Sequence, residues 1–388
     1  MSTTSYPELV KMKNQNNNLK EEIIELKLLL TKSKSYLKQL TLVNSTEDLS
    51  DLVRRIDKII KPLENDNDNN KLNQQQSKQQ YLDNNNNNNN NNNIDINVSN
   101  IITGHYDSVN HICCSKDNSL IVSASSDRTL KVWSTTDNYN LVKTLKGHSN
   151  IITCCCISSN NNFVVSGSVD RTIKIFNVET GLCIRTFDGS LAHTAAVLTV
   201  TISDDNNTII SGGLDNVVKL WYKGSNFFTF KGHTAAVNCT VLSKNGKFVA
   251  SGSWDKTICL FCTETAKLLR QYFGHEYSVN SLTINDSSTI LVSGSGDFSI
   301  KIWELSSGNC FGTLRGHKGS ITSVVLSSCN KMIISGSEDG TIKIWDKSNL
   351  KCTATMKTPN AGINSVVVAN GNEFIASATK DFKIFVWK

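Results

Sequence analysis

The chain contains 388 residues with a net charge of +6, and 39% of its residues are hydrophobic. This is enough for one large repeat domain or two ordinary domains with an apolar core. The basic and acidic side chains of residues 1–93 nearly balance, and the mild excess elsewhere argues against a dedicated nucleic-acid-binding protein. No apolar run approaches membrane-spanning length and the N-terminus has no apolar signal-peptide region, so we expect no membrane association.

The twelve cysteines are expected to be reduced and to pack as small hydrophobic side chains. Cys113-Cys114 and Cys154-Cys155-Cys156 lie in strand-like runs, whose neighbouring side chains point to opposite faces and are poorly placed to share a metal ion. Cys259 and Cys262 have C-x-x-C spacing without a second pair or a His at zinc-site distance. We therefore expect no metal and no cofactor, and a cytoplasmic protein, with a nuclear location as the alternative.

Residues 1–18 are polar and are expected to be disordered, and a heptad-like series follows. The series alternates spacings of four and three, with one polar member: Leu19, Ile23, Leu26, Leu30, Ser33, Leu37 and Leu40. This spacing is typical of a coiled coil of about three heptads. Two interpretations stay open, namely self-association through residues 19–40 and a single amphipathic helix that binds another surface.

A second helix is predicted after the capping-box sequence that begins at Ser45, and Pro62 ends it. Residues 19–63 therefore form the predicted helical segment. Residues 64–93 consist largely of Asp, Asn and Gln and end in a run of Asn from Asn84 to Asn93. This composition cannot bury enough apolar surface to order itself, so it predicts a disordered linker.

From residue 94 to residue 388 the sequence is repetitive. An eleven-residue pattern occurs seven times, most clearly as SGSEDGTIKIW from Ser335 to Trp345, and each copy reads as strand, tight turn and strand. The turn aspartates are Asp127, Asp170, Asp215, Asp255, Asp297, Asp339 and Asp381. Each copy ends in an aromatic residue, namely Trp133, Phe176, Trp221, Phe261, Trp303, Trp345 and Trp387.

A histidine precedes six of the seven aspartates at a constant spacing, and it usually follows a glycine. These residues are His105, His148, His193, His233, His275 and His317, and Pro359 stands at the equivalent position of the seventh repeat.

The repeats resemble the WD-repeat family over residues 94–388. The resemblance implies a seven-bladed β-propeller with four strands in each blade, the His in the loop that enters the innermost strand and a Trp-Asp pair at the end of the third strand. Only Trp345-Asp346 keeps that complete pair.

The predicted fold class is therefore all-β, a seven-bladed β-propeller preceded by the helical segment and the linker. The last repeat lacks a fourth strand, and residues 94–103 occupy the place of a fourth strand before the first Gly-His. The N-terminal strand is thus expected to complete the last blade and close the ring.

The resemblance also implies a buried hydrogen-bonded chain of His, Ser, Asp and Trp in each blade, and the donor and acceptor chemistry of these side chains agrees. The hydroxyls would come from Ser123, Ser166, Ser211, Ser251, Ser293, Ser335 and Ser377. Blades two and four, which have Phe176 and Phe261 instead of Trp, and blade seven, which lacks the His, are predicted to be softer. Because the set recurs six times without a nucleophile elbow, we interpret it as structural and not as the catalytic triad of an enzyme.

Three positions in each repeat are expected to open on the top face of the propeller in this family: three and five residues after the His, and one before the Asp. They are mostly apolar in blades two to four and mostly polar elsewhere. The predicted partner-binding residues are Trp254, Leu214, Leu198, Val169, Ile151, Asn238, Glu338 and Lys380. The alternative is that some of these side chains line the central channel. His111 belongs to no repeat position and is expected to be an ordinary strand residue.

These features predict a non-catalytic scaffold that binds a protein or peptide on its top face. A substrate-recognition subunit of a ubiquitin ligase is one alternative, although Trp345-Asp346 is not followed by the x-Arg of the W-D-x-R signature and no F-box-like segment is present in residues 1–63. A signalling subunit similar to G-protein β subunits, which also place a helix before seven blades, is another.

Overall fold

The computed structural model describes residues 98–388, except residues 224 and 360. Across this range the regular structure is β-strand, apart from one 3-10 turn at Asn370–Asn372. No helix within the described residues is long and apolar enough to cross a membrane. The predicted disordered N-terminus, helical segment, linker and self-association surface lie outside the described residues.

The strands form seven four-stranded antiparallel sheets, the blades of a seven-bladed β-propeller. Blade one contains β2 (Val109–Cys114), β3 (Leu120–Ser125), β4 (Thr129–Ser134) and β5 (Leu141–Lys146). Blade two contains β6 (Ile152–Ile157), β7 (Phe163–Ser168), β8 (Ile173–Asn177) and β9 (Cys183–Phe187). Blade three contains β10 (Val197–Ile202), β11 (Thr208–Gly213), β12 (Val218–Tyr222) and β13 (Ser225–Phe230).

The remaining blades follow the same order from the innermost to the outermost strand. Blade four contains β14 (Val237–Leu242), β15 (Phe248–Ser253), β16 (Ile258–Cys262) and β17 (Leu268–Tyr272). Blade five contains β18 (Val279–Ile284), β19 (Ile290–Ser295), β20 (Ser299–Glu304) and β21 (Cys310–Arg315). Blade six contains β22 (Ile321–Leu326), β23 (Met332–Ser337), β24 (Thr341–Asp346) and β25 (Lys351–Lys357).

Blade seven combines strands from both ends of the described range. It contains β26 (Ile363–Val368), β27 (Ile375–Thr379), β28 (Lys383–Trp387) and, as its outer strand, β1 (Val98–Thr103). β1 runs antiparallel to β28, with Thr103 opposite Lys383 and Ile101 opposite Phe385. The chain then passes through Gly104-His105 into β2, so the first and last repeats share one sheet.

The apolar core lies between neighbouring blades, and the Ser-Gly-Ser part of the repeat explains how they approach each other. A Cβ atom on Gly336 in blade six would lie 2.6 Å from the Cγ2 atom of Val366 in blade seven. The glycine thus admits the innermost strand of the next blade at close packing distance. Trp345, which ends the repeat of blade six, packs in the opposite direction, in one cluster with Ile300 and Leu314 of blade five.

Candidate functional site

Two kinds of loop meet at one end of every blade. The turn that holds the Asp connects the second strand to the third, and the loop that holds the His connects an outermost strand to the next innermost strand. Because the strands of a blade are antiparallel, both connections lie at the same edge of the sheet. We call this end of the propeller the top face.

A buried chain of hydrogen bonds ties these loops to the blade, as blade six illustrates. His317 Nδ1 lies 3.0 Å from Asp339 Oδ2, and His317 Nε2 lies 2.8 Å from Ser335 Oγ. The indole nitrogen of Trp345 donates to the same hydroxyl at 2.8 Å. Since a carboxylate only accepts, the Nδ1–H donates to Asp339 and Nε2 accepts from the serine.

Blades one, three and five contain the same chain, with each distance between 2.7 and 2.9 Å. Blades two and four keep the bonds from His148 and His233 to their Asp and Ser partners, but Phe176 and Phe261 supply no indole donor. In these six blades both ring nitrogens of the imidazole are engaged. The serine hydroxyls at the centre of these chains are on residues that are fully buried, so the bonds tie the loop, the second strand and the turn of each blade together.

The electrostatics of blade one show how the charge is arranged. Burial by itself would raise the pKa of Asp127, but hydrogen bonds from His105 and Thr129 and the attraction of His105 outweigh it and hold this pKa at about 2. Burial lowers the pKa of His105, against the opposing effect of Asp127. The pair is therefore an ionised carboxylate that accepts a bond from a neutral imidazole.

Sequence reasoning missed two further hydroxyls around the aspartate of five blades, those other than three and seven. In blade one, Thr129 donates its backbone N–H and its hydroxyl to Asp127 Oδ1, at 2.9 and 2.7 Å. Ser125 Oγ accepts the backbone N–H of Asp127 at 3.1 Å and donates to the carbonyl of Asp107. The residues equivalent to Thr129 are Thr172, Thr257, Ser299 and Thr341, whereas blade three has Val217 and blade seven has Lys383. The recurrent Ser-x-Asp-x-Thr spacing in the sequence could have indicated these two hydroxyl groups.

A backbone bond brings two of the three predicted top-face positions together. The residue before the Asp donates its N–H to the carbonyl of the residue three after the His, as Trp254 does to Ala236 at 3.0 Å and Leu214 to Ala196 at 2.9 Å. The same bond occurs in all seven blades. It presents the side chains of Trp254 (53% exposed), Leu214 (40%) and Ile151 (37%) to solvent. Val169, next to Ile151, is half-buried.

The third position lies at the mouth of the central channel instead. Each of these residues is the extra residue of a β-bulge in an innermost strand, as Leu198 is between Val197 and Thr199. In six blades its side chain donates to the next blade: Asn110 to the Ile152 carbonyl, Thr153 to Val197, Asn238 to Asn280 Oδ1, Asn280 to Ile321, Thr322 to Ile363 and Asn364 to Val109. Leu198 offers no such donor, so this ring of hydrogen bonds is interrupted between blades three and four.

Glu338 and Lys380 form an ion pair with each other. The Lys380 Nζ atom lies 2.8 Å from Glu338 Oε1, and both side chains are about half exposed. The pair joins the turns of blades six and seven on the top face, so these two predicted binding residues already satisfy one another.

The exposed apolar surface extends beyond the predicted blades into blade five. Tyr277 is 63% exposed and Phe298 is 47% exposed. The Nζ atom of Lys256, in the same turn as Trp254, lies 5.9 Å from the centre of the Tyr277 ring, so the top-face loops of blades four and five are in contact. The sequence pattern did not predict Tyr277 and Phe298 as binding residues. Tyr277 lies two residues after the His of its repeat and Phe298 lies one residue after the Asp, so neither occupies one of the three predicted top-face positions. We call Ile151, Leu214, Trp254, Tyr277 and Phe298 the apolar top surface.

Comparison with protein-family models gives seven matches to one family, the WD domain, G-beta repeat. The matches cover residues 97–134, 139–177, 181–222, 224–262, 266–304, 308–346 and 350–388. A comparison with curated proteins gives no match.

Proposed function

Because the chain belongs to the WD-repeat family, whose propellers generally mediate protein–protein interaction, we propose that it is a non-catalytic scaffold that binds a peptide or protein segment on its apolar top surface. The observation that carries the proposal is the exposed Trp254, with Leu214 in the preceding blade and Tyr277 in the following one. Exposed aromatic and aliphatic side chains that share one face are typical of binding sites, and Trp and Tyr are enriched among energetic hot spots.

Charged groups near this surface give the site a polar border. Lys256 lies over the Tyr277 ring, and the pair of Glu338 and Lys380 lies further round the top face. An apolar centre with a polar rim is the usual anatomy of an interface. The partner segment is expected to contribute at least one large apolar side chain to the region around Trp254.

The proposal includes a second interaction through the N-terminal region. The heptad spacing of residues 19–40 supports self-association, and the Asn-rich residues 64–93 would tether two or more propellers in one assembly. Two copies of a weak top-face site would then bind a repeated partner with greater avidity. Light scattering of the full chain tests this part, since a monomer at all concentrations would contradict it. A cytoplasmic location is part of the same proposal.

A peptide selection tests the top-face site. A phage-displayed random peptide library is selected on the full-length protein, and the dissociation constant of a recovered synthetic peptide is measured by calorimetry. Trp254→Ala is expected to weaken binding by about 30-fold, as for a hot-spot residue worth about 2 kcal/mol.

Phe311→Ala is the matched control, because Phe311 is also 53% exposed but lies on the outer strand β21. It is expected to leave the dissociation constant unchanged. Equal binding by the wild type and Trp254→Ala would contradict the proposed site, and so would a selection that recovers no peptide.

A further inference from the structure

Two cysteines meet between blades one and two. Cys113 on β2 and Cys155 on β6 have their Sγ atoms 3.9 Å apart. Cys155 is fully buried in the cluster that contains Val122 and Phe176, and Cys113 is partly buried against the same cluster. Both line the cavity of about 400 Å³ in the central channel. The two thiols thus face each other across a blade boundary, beside a space that small molecules can enter.

The strand geometry selects this pair from the neighbouring cysteines. Cys154 packs in the cluster of blades two and three, with Val197, whereas its neighbour Cys155 packs toward blade one. Adjacent residues of a strand point to opposite faces, so only one of them can face Cys113. Two thiols at this distance can react with each other once one of them is oxidised.

His111 completes the arrangement. Its Nδ1 atom lies 3.7 Å from the Sγ atom of Cys155. Burial lowers the pKa of His111 to about 4, so the ring is neutral at physiological pH and has one nitrogen that accepts a proton. Burial also raises the pKa of the Cys155 thiol well above its usual value. Cys155 therefore stays protonated until it reacts, and its proton must leave as the S–S bond forms.

We propose that Cys113 and Cys155 are a reversible oxidation site that forms a disulfide between blades one and two, with hydrogen peroxide as the two-electron oxidant. The less buried Cys113 sulfur attacks the peroxide, the O–O bond breaks, and a sulfenic acid and one water form. The Cys155 sulfur then attacks the Cys113 sulfur while its proton passes, by way of His111, to the departing oxygen. The S–O bond breaks, the S–S bond forms and the oxygen leaves as a second water.

The expected consequence is a covalent link between two innermost strands. The link closes the chain from Cys113 to Cys155 into a loop, which restricts the unfolded state and raises the melting temperature of the oxidised protein. A dithiol reductant reverses both the link and the shift.

Peptide mapping of the full-length folded protein tests the proposal. The protein is treated with hydrogen peroxide, free thiols are blocked with N-ethylmaleimide, and the digest is analysed by mass spectrometry with and without dithiothreitol. A reducible cross-link between the peptides that contain Cys113 and Cys155 is expected, together with a rise in melting temperature that dithiothreitol removes.

Matched variants identify the two sulfurs and the role of His111. Cys113→Ser and Cys155→Ser are expected to abolish the cross-link, whereas Cys114→Ser and Cys154→Ser, which change the adjacent cysteines, retain it. His111→Phe is expected to slow the cross-link without slowing sulfenic acid formation at Cys113, which a dimedone probe reports. A cross-link that appears only in urea would overturn the proposal. Sulfinic acid at Cys113 beside an alkylated Cys155 in the folded protein would also overturn it.

Discussion

Blades six and seven have the same four-stranded architecture but differ in what surrounds the turn aspartate. In blade six, His317 covers Asp339, whose side chain is 11% exposed. In blade seven Pro359 replaces the histidine, and Asp381 is 32% exposed and lies 3.5 Å from Lys383. The indole of the last repeat also reaches its serine at a longer distance, 3.3 Å in place of 2.8 Å. Blade seven is instead held by β1 along its outer edge.

The difference indicates that the histidine side chain determines whether the aspartate of the turn is buried in a hydrogen-bond network or exposed at the surface. Without the ring, the carboxylate turns to solvent and takes a surface lysine as its partner. A buried network is valuable only when every member is satisfied, so blade seven loses the burial of its aspartate together with the histidine. The comparison makes three predictions, each with a matched change in the two blades.

The largest effect is expected for the aspartates. Asp339→Asn replaces an acceptor of bonds from His317, Lys318 and Thr341 by an amide that cannot accept them all. It should lower the free energy of unfolding by about 3 kcal/mol, as for a broken buried pair. Asp381→Asn should lower the free energy of unfolding by less than about 1 kcal/mol, because the ion pair of Asp381 and Lys383 is about one-third exposed to solvent. Urea denaturation followed by circular dichroism measures both, and equal losses would show that the buried network contributes nothing.

The dependence of the free energy of unfolding on pH is expected to reflect the titration of the histidine. Burial lowers the pKa of His317, and the pKa of Asp339 is about 2, because hydrogen bonds from Thr341, Lys318 and His317 outweigh its burial. Below about pH 6.5 the unfolded chain takes up a proton at this histidine before the folded chain does, so stability falls as the pH falls. The aspartate acts in the same direction below about pH 4, since its folded pKa is also depressed.

His317→Gln is therefore expected to flatten the pH profile of the urea midpoint between about pH 7 and 5, where an unperturbed histidine titrates. Asp381→Asn, in the blade without the imidazole, should leave the slope of that profile as it is in the wild type. A slope that His317→Gln does not change would contradict this assignment.

The smallest effect is expected for the indole donors. Trp345→Phe removes the bond to Ser335 and gives blade six the composition of blades two and four, where Phe176 and Phe261 are fully buried. The loss should be about 1 kcal/mol for one neutral hydrogen bond. Trp387→Phe should cost less, because its bond to Ser377 is longer. A larger loss of unfolding free energy for Trp387→Phe than for Trp345→Phe would contradict this prediction.

The repeated residues allowed much of the fold to be predicted from the sequence. The constant spacing of His317, Asp339 and Trp345 recurs through the chain, so seven weak patterns reinforce one another and indicate the seven blades. The same spacing indicated Ser335 as the hydroxyl of the network. These predictions depend on contacts within one blade, which a single repeat encodes.

The top face was harder to predict because it depends on contacts between blades and on irregular backbone. Leu198 and Asn238 lie at the channel mouth because each is the extra residue of a β-bulge, and strand alternation cannot reveal a bulge. Tyr277 is exposed beside Lys256 in the turn of blade four, and this contact between two blades cannot be read from the sequence of one repeat. Phe298 is exposed in the turn of blade five. The packing of neighbouring blades, and not the sequence pattern of one repeat, determines which side chains lie together on this surface.

The pairing of β1 with β28 has a consequence for biosynthesis. During translation β1 leaves the ribosome before the 26 strands that separate it from β28, so its edge has no partner while six blades are already available to fold. Such an unpaired edge is an attractive template for strands of other nascent chains. The joining of the two strands is expected to be a slow, late step of folding, since their contact spans almost the whole propeller.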